Sequence, residues 1–429
     1  MSPPRRQKLL ASVQDWFFLA ISLGHDRTIR LTLELDGAVD HPRLARALHL
    51  LLEAEPVLRC RFTPGLFRAY WREREDIDRL ELCRLIPTVD LRRDLHEFMA
   101  GPIDPCRDPL IQVGVFRSAT DTVCIKICHV AMDGGGFKQL VHRLTTLYRA
   151  LAIDPSSVLP PDLASDRSQG QVLRGFPLRE RLRAFFTQPF HRKAWSFPYL
   201  AGPPGDVTFS ERTLGVKVPA LREAAKARGA TITDALMAGF VRAVFETTAT
   251  PAGVPLPFTV AMDLRRYLPA PEAAALCNLS SLAWIELVKR PGASIDETLA
   301  DVHRTLAAAM SDKPGIGLAM VMELAAVLGH AAFVAGNRIR IRLARRQGRE
   351  FPSLSNVGVM DPRGVDFGDA RVTMTRFYGS VIYPPTFYIV SGSFQNVLYL
   401  TVSYPRSVVP GDLVERVLDR VVREVESLC

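Results

Sequence analysis

The run Cys128-His129-Val130-Ala131-Met132-Asp133-Gly134-Gly135-Gly136 constrains this chain more than any other stretch. It follows Val123-Cys124-Ile125-Lys126-Ile127-Cys128, whose side chains alternate faces with the period of a strand. Val123, Ile125 and Ile127 share an apolar face, and His129 continues it while Cys128 points the other way. The three glycines suit a sharp turn. Beyond them Phe137, Leu140, Val141, Leu144, Leu147, Tyr148 and Leu151 recur at helical spacing. The unit reads as strand, tight polar turn and helix, with a histidine aimed inward at the end of a buried strand.

A histidine so placed, with a carboxylate four residues on and glycines that let backbone approach closely, has the makings of a general-base site. His-x-x-x-Asp is a common spacing, so the flanking chain must carry the argument. Thr28 to Leu35 alternates as a strand and Asp36-Gly37 closes it. Asp40 reads as an N-cap with Pro42 in the first turn, and Leu44, Ala47, Leu48, Leu51 and Leu52 form the buried stripe of a helix that Pro56 ends. A strand is predicted over 57–62, with Leu58, Cys60 and Phe62 on one face and Arg59 and Arg61 on the other. Another opens at Pro109-Leu110-Ile111 and runs through Phe116.

The second half restarts the strand, helix, strand order. Thr231 to Asp234 fits a capping box, and a strand over 257–262 leads into Asp263-Leu264-Arg265-Arg266, with Asn278-Leu279-Ser280-Ser281 downstream. Ser353-Leu354-Ser355-Asn356-Val357-Gly358 follows, then strands over 388–394 and 397–403 and a helix over 411–427. Between the halves, 153–170 has the Pro, Ser and Asp content of a linker, and 173–195 is basic and aromatic, an amphipathic crossover. From Ile316 to Val334 the chain is apolar with Glu323 and His330 inside it, then turns basic through Arg338, Arg340, Arg342, Arg345 and Arg346. An acidic residue in the apolar run argues against a membrane span, so a buried helix followed by a solvated basic face is expected.

A net charge of +9 admits nucleic acid, anionic surfaces or acidic small partners. No Walker loop, zinc-ligand spacing or aromatic-plus-basic RNA signature is present, so neither nucleic acid nor a metal is expected. The cysteines are scattered without disulfide spacing, which predicts a reduced, cytoplasmic protein.

His-x-x-x-Asp-Gly after an apolar strand, the opening order of strand, Asp-Gly, helix, Pro and Leu-Arg, the later Asp-Leu-Arg with its Asn, and Ser-Asn-x-Gly together resemble the coenzyme-A-dependent acyltransferase superfamily. That group includes chloramphenicol acetyltransferase, peptide-synthetase condensation domains, wax ester synthases and plant-type acyltransferases. The resemblance implies an α/β fold of two chloramphenicol-acetyltransferase-like lobes, two-layer α+β sandwiches forming a pseudo-dimer with a tunnel between them. The lobes would cover 1–165 and 206–429, with a crossover over 166–205.

By the same resemblance, His129 is the general base of a ternary-complex acyl transfer. Asp133 turns away from the tunnel and pairs with an arginine, supporting the catalytic loop together with Gly134. Arg59 fits the Leu-Arg position best, and Arg265 is another candidate. Ser355, Asn356, Arg265 and the backbone of Gly134–Gly136 are candidates for oxyanion or tunnel contacts. The implied co-substrate is a thioester, acyl-coenzyme A or an acyl carrier protein, with a small-molecule hydroxyl or amine as acceptor. No permanently bound cofactor is implied, and a monomer would suffice. Two other readings stand beside this one. Cys128, where many relatives have a first histidine, hints at a catalytically silent binding or scaffold module. The stretches 173–195 and 316–346 suggest a peripheral-membrane acyltransferase making lipid or wax esters, with weak membrane association.

Overall fold

The computed structural model describes residues 8–21, 26–161, 165–188, 197–203, 205–248, 250–270 and 275–429. The strand that precedes the histidine, Asp121–Cys128, is the middle of a five-stranded sheet. It pairs antiparallel with Thr28–Leu35 on one side, Leu31 opposite Ile125, and with Ile111–Arg117 on the other. Cys83–Pro87 adds in parallel beyond Ile111–Arg117. Every residue from Asp121 to Cys128 is buried.

That burial departs from the expected one-sided alternation, because both faces of the sheet are covered. Val123, Ile125 and Ile127 pack in one core with the apolar stripes of the helices His41–Ala54 and Gly134–Ile153. On the opposite face Cys124 packs with Met99 of the helix Leu91–Ala100, Phe116 and Tyr378. Lys126, on this second face, sends its ammonium to the carbonyls of Phe98 and Gly101 at 2.8 and 3.0 Å, as a buried donor must. The cap of the His41–Ala54 helix is Asp40, which accepts from the Arg43 N–H at 3.0 Å.

The second lobe is built on a six-stranded sheet in the order Ser280–Val288, Pro255–Asp263, Ser353–Val359, Tyr388–Phe394, Val397–Pro405, Val207–Lys217. Its separate core is closed by the helices Ile232–Thr247, Ile295–Ala309 and Gly411–Glu426. Ser353–Val359 runs parallel to both of its neighbours. A small sheet of Lys8–Leu10, Tyr70–Glu73 and Cys60–Thr63 flanks the first lobe.

One strand late in the chain crosses over. Val372–Tyr378 joins the five-stranded sheet beside Thr28–Leu35, with Phe377 opposite Leu31. Its Phe377 is also held by the other sheet: the Tyr399 hydroxyl accepts from the Phe377 N–H at 3.2 Å, and the Thr401 hydroxyl donates to the Phe377 carbonyl at 2.7 Å. The two lobes are thereby fastened at the level of their sheets.

Three local expectations need correcting. Residues 56–59 form a 3-10 turn and only Cys60–Thr63 is extended, since the Leu58 N–H still bonds the Glu55 carbonyl after the helix ends. Gly134–Gly136 are not a turn but the first turn of the Gly134–Ile153 helix; the reversal is made by His129–Ala131, where the Ala131 N–H bonds the Cys128 carbonyl at 3.0 Å. The apolar run after 316 is not one buried helix. It forms Ile316–Ala326 and His330–Gln347, bent by 119°, with Leu324, Val327 and Leu328 exposed. Gly329 sits at the bend with φ +90°, a conformation that favours glycine. No single helix among the described residues is long and apolar enough to cross a membrane. The crossover contributes the short helices Gly170–Leu173 and Leu178–Phe186; Phe190, Arg192, Lys193 and Trp195 of the basic aromatic stretch lie outside the described residues.

Candidate active site

Between the two sheets lies a cavity of about 650 Å³, walled by His129, Asp133 and Gly134 from the first lobe and by Ser280, Ser281, Trp284, Ser353 and Ser355 from the second. Leu318, Val321 and Met322 of the Ile316–Ala326 helix and Phe333 and Ile341 of the His330–Gln347 helix make much of the remaining wall apolar. A concave, mostly apolar pocket with a few convergent polar groups is where a small-molecule site is expected.

His129 reaches the cavity because the central strand ends at Cys128 and the chain turns there. Its N–H bonds the Arg27 carbonyl at 2.6 Å, tying the turn to the neighbouring strand's approach. The imidazole stacks on Phe18 of the Val13–Ile21 helix, ring centroids 4.1 Å apart and planes at 20°. Nδ1 is shielded and has no hydrogen-bond partner, so Nε2 is the nitrogen open to a molecule in the cavity. Desolvation pulls the imidazole below its ordinary pKa, although its own backbone, the Asp133 charge and the Asn278 side chain each favour the protonated ring. The ring is therefore neutral at neutral pH and able to accept a proton.

Asp133 is committed elsewhere. It caps the Gly134–Ile153 helix by accepting from the Gly136 N–H at 2.9 Å. Its carboxylate also accepts from the Leu279 N–H at 2.6 Å and pairs with Arg265 at 3.0 Å, both side chains about 95% buried at 4% and 5% exposure. Burial alone would raise this carboxyl, but the Arg265 guanidinium and the N–H groups of Gly136 and Leu279 outweigh it and hold it below the usual carboxylate range. Arg265 in turn donates to the Cys277 carbonyl at 2.9 Å and to Asp263 at 3.1 Å.

The arginine of the pair is thus Arg265, from the second lobe; paired with Asp133, it does not line the cavity as a tunnel contact would. Arg59 is bonded to Glu73 at 3.2 Å and to Asp78 at 2.9 Å, because the 3-10 turn over 56–59 rotates it toward the small flanking sheet. The glycines after Asp133 are explained by the same junction. A Cβ on Gly135 would stand 2.6 Å from Arg265 Nη1, and one on Gly136 would stand 3.0 Å from the Cys277 carbonyl oxygen. They are small so that the second lobe can reach the loop.

Ser355 lines the cavity and is a hydrogen-bonding neighbour of Tyr388, another cavity residue whose phenol burial pushes up. Asn356 does not line it. By strand alternation it faces the other way, donating to Thr233 at 3.0 Å and accepting from the Gly358 N–H at 2.9 Å. Cys128 is fully buried and its thiol is pushed up to about 12 by burial, so it is no nucleophile.

Residues that sequence reasoning gave no role also hold the loop. Asn278 donates to the Val130 carbonyl at 2.9 Å, and Arg167 from the crossover donates to the Ala131 carbonyl at 2.8 Å and to the Leu276 carbonyl. Asn278 stood in the second-half pattern; Arg167 carries no local signal, since its target is over thirty residues away.

A family profile described as Condensation domain matches residues 5–249, more than half of the chain. The chain belongs to the condensation-domain family. Its fold is shared across almost its whole length with the first condensation domain of the CDA synthetase, at 21% identity and TM-score 0.68, covering 99% of this chain and 96% of that one. TRI3 trichothecene 15-O-acetyltransferase from Fusarium sporotrichioides is similar at 13% identity and TM-score 0.73, over 99% and 95% of the two chains. Polyketide synthase associated protein 5 from Mycobacterium tuberculosis is similar at 17% identity and TM-score 0.66, over 99% of each. No curated protein matches by sequence. Membership of this condensation-domain family supports acyl-transfer chemistry in general, without naming a donor or an acceptor.

Proposed function

We propose that this condensation-domain protein transfers an acyl group from a thioester to a hydroxyl or amine acceptor held in the cavity, with His129 as the general base. The observation that carries this reading is the His129 imidazole, Nδ1 shielded and Nε2 open, in the wall of an apolar cavity between two lobes, where burial holds it below its ordinary pKa. A hydroxyl or amine attacks a thioester poorly until a base takes its proton, and a neutral imidazole suits that task near neutral pH.

Attack at the thioester carbonyl generates an oxyanion, and the thiolate leaves as the tetrahedral species collapses. The proton taken by Nε2 is then available to the departing sulfur. Donors for the oxyanion are the Gly134 N–H, at the open N-terminus of a 20-residue helix on the cavity wall, and the Ser355 hydroxyl. The donor thioester is acyl-coenzyme A or an acylated carrier protein. Exposed arginines at the cavity, Arg340 and Arg345, suit the phosphates of either. Asp133 and Arg265 act on geometry only, by holding the turn that presents His129.

The test is free-thiol release from acyl-coenzyme A thioesters of increasing chain length with pooled alcohols and amines, native protein against His129→Ala. Release that needs an acceptor and disappears in the variant, at an unchanged melting temperature, supports the transferase. Equal release from both removes His129 as base. Silence with both coenzyme A and carrier-protein donors would favour a binding module.

A further inference from the structure

The two helices that wall the cavity have a second, outward side. On His330–Gln347 the inward row includes Phe333, Ile341 and the buried Ala344, and the opposite side presents Ile339 and Leu343, both about half exposed. Beside them Arg338, Arg342 and Arg346 recur every fourth residue, forming one stripe along the helix. All three are exposed, and none makes an ion pair among the described residues. At the bend between the helices Val327 and Leu328 are 78% and 74% exposed.

A loop from the first lobe completes this tip. The His330 N–H bonds the Phe67 carbonyl at 3.0 Å, the Ala331 N–H bonds the Leu66 carbonyl at 2.9 Å, and His330 Nδ1 lies 2.9 Å from the Gly65 carbonyl. Gly329 permits the approach, since a Cβ there would meet Phe67 at 3.0 Å. The side chains of Leu66 and Phe67 are nevertheless 68% and 71% exposed. A loop is therefore hydrogen-bonded to the bend while four large apolar side chains stay mostly exposed, and the helix that leaves the bend carries the arginine stripe. Contiguous exposed apolar surface rimmed by charge marks an interaction site.

We propose that this face docks on the surface of a bilayer containing anionic lipid, with Leu66, Phe67, Val327 and Leu328 inserted among the headgroups and Arg338, Arg342 and Arg346 on the phosphates. Charge complementarity selects this occupant: an exposed arginine stripe without ion pairs among the described residues suits an anionic plane, and exposed apolar side chains at the bend suit insertion. The helices lie on the membrane rather than crossing it, because they are bent by 119° and their inner sides face the cavity. Ala325, Arg340 and Arg345 are exposed and also part of the cavity wall, so the cavity reaches the surface beside this helix pair. A membrane-dissolved substrate would meet the mouth there. That last consequence rests on the acyl-transfer reading; the docking itself does not.

Vesicle flotation tests it with the full chain. Vesicles of phosphatidylcholine alone and of phosphatidylcholine with phosphatidylglycerol are compared at low and high salt. Retention on the anionic vesicles that falls with salt is expected. Arg338→Gln, Arg342→Gln and Arg346→Gln combined should weaken retention at least ~10-fold at low salt. Leu66→Ser, Phe67→Ser, Val327→Ser and Leu328→Ser combined should weaken it at least ~10-fold at either salt, with the native melting temperature kept. His129→Ala should bind as the native protein does, so a failed catalytic reading leaves this result untouched. No retention of the native protein, native-like retention of the serine variant, or binding to an acidic acyl carrier protein without binding to vesicles would each overturn the proposal.

Discussion

The loop carrying His129 and the helix pair over 316–347 treat charge in opposite ways. At the loop an arginine and a carboxylate are almost wholly buried, and both are paired: Arg265 meets Asp133, Asp263 and the Cys277 carbonyl, and Asp133 meets two backbone N–H groups besides. On the helix pair Arg338, Arg342 and Arg346 are exposed and make no ion pair among the described residues, and Val327 and Leu328 stay mostly exposed. A buried charge must be paired or the lobe does not close, whereas an exposed one is free to answer to something outside the chain. The first region is built to hold a geometry. The second is built to present a surface.

Substitutions can break or sharpen this contrast. The largest effect expected is on rate: His129→Ala should lower thiol release by roughly two to four orders of magnitude, the usual contribution of a general base, while the denaturation midpoint stays near native. A large fall in midpoint would show that the stacked imidazole holds the loop as well. Next, Asp133→Ala should cost about 3–5 kcal/mol in urea unfolding, because Arg265 is left buried without its partner. Asp133→Ala combined with Arg265→Met should recover part of that loss; a double variant no better than the single would mean that the lost cap and Leu279 contact dominate.

Gly135→Ala should cost roughly 1–3 kcal/mol, since the new Cβ forces the Arg265 guanidinium to move. A smaller effect is expected from pH. The His129 imidazole is held below its ordinary value of about 6.5. Neutral base is lost only as pH falls through that lowered value, so the rate at pH 6.5 should exceed half its plateau and the acid limb should lie below it. A limb centred above 6.5 would contradict the desolvated site. Smallest of all, Arg342→Gln should change unfolding by no more than about 0.5 kcal/mol while still reducing vesicle retention.

Much of the first lobe was legible before any coordinates. The Thr28–Leu35 strand, the Asp40 cap with its helix, and the strand into His129 follow rules that act within a few residues, so periodicity and capping found them. The two-lobe α/β architecture came from resemblance and agrees with the fold. The 3-10 turn at 56–59 was misread as strand because Leu58, Cys60 and Phe62 alternate as a strand would, while the Glu55 carbonyl's bond to Leu58 leaves no mark in composition. Arg59 was preferred over Arg265 as the partner of Asp133 because it stands at the Leu-Arg position, and the structure reverses that choice. Asn356 and Ser355 were equally good wall residues.

By itself, then, the sequence determined the elements, their caps and the identity of a histidine at a strand end, since each depends on neighbours along the chain. Only the tertiary structure decided which arginine neutralises Asp133, why Gly135 and Gly136 are small, which of Ser355 and Asn356 faces the cavity, and that Val372–Tyr378 belongs to the first sheet. Each of those depends on the approach of two segments more than a hundred residues apart, where distance in space replaces distance along the chain as the controlling variable.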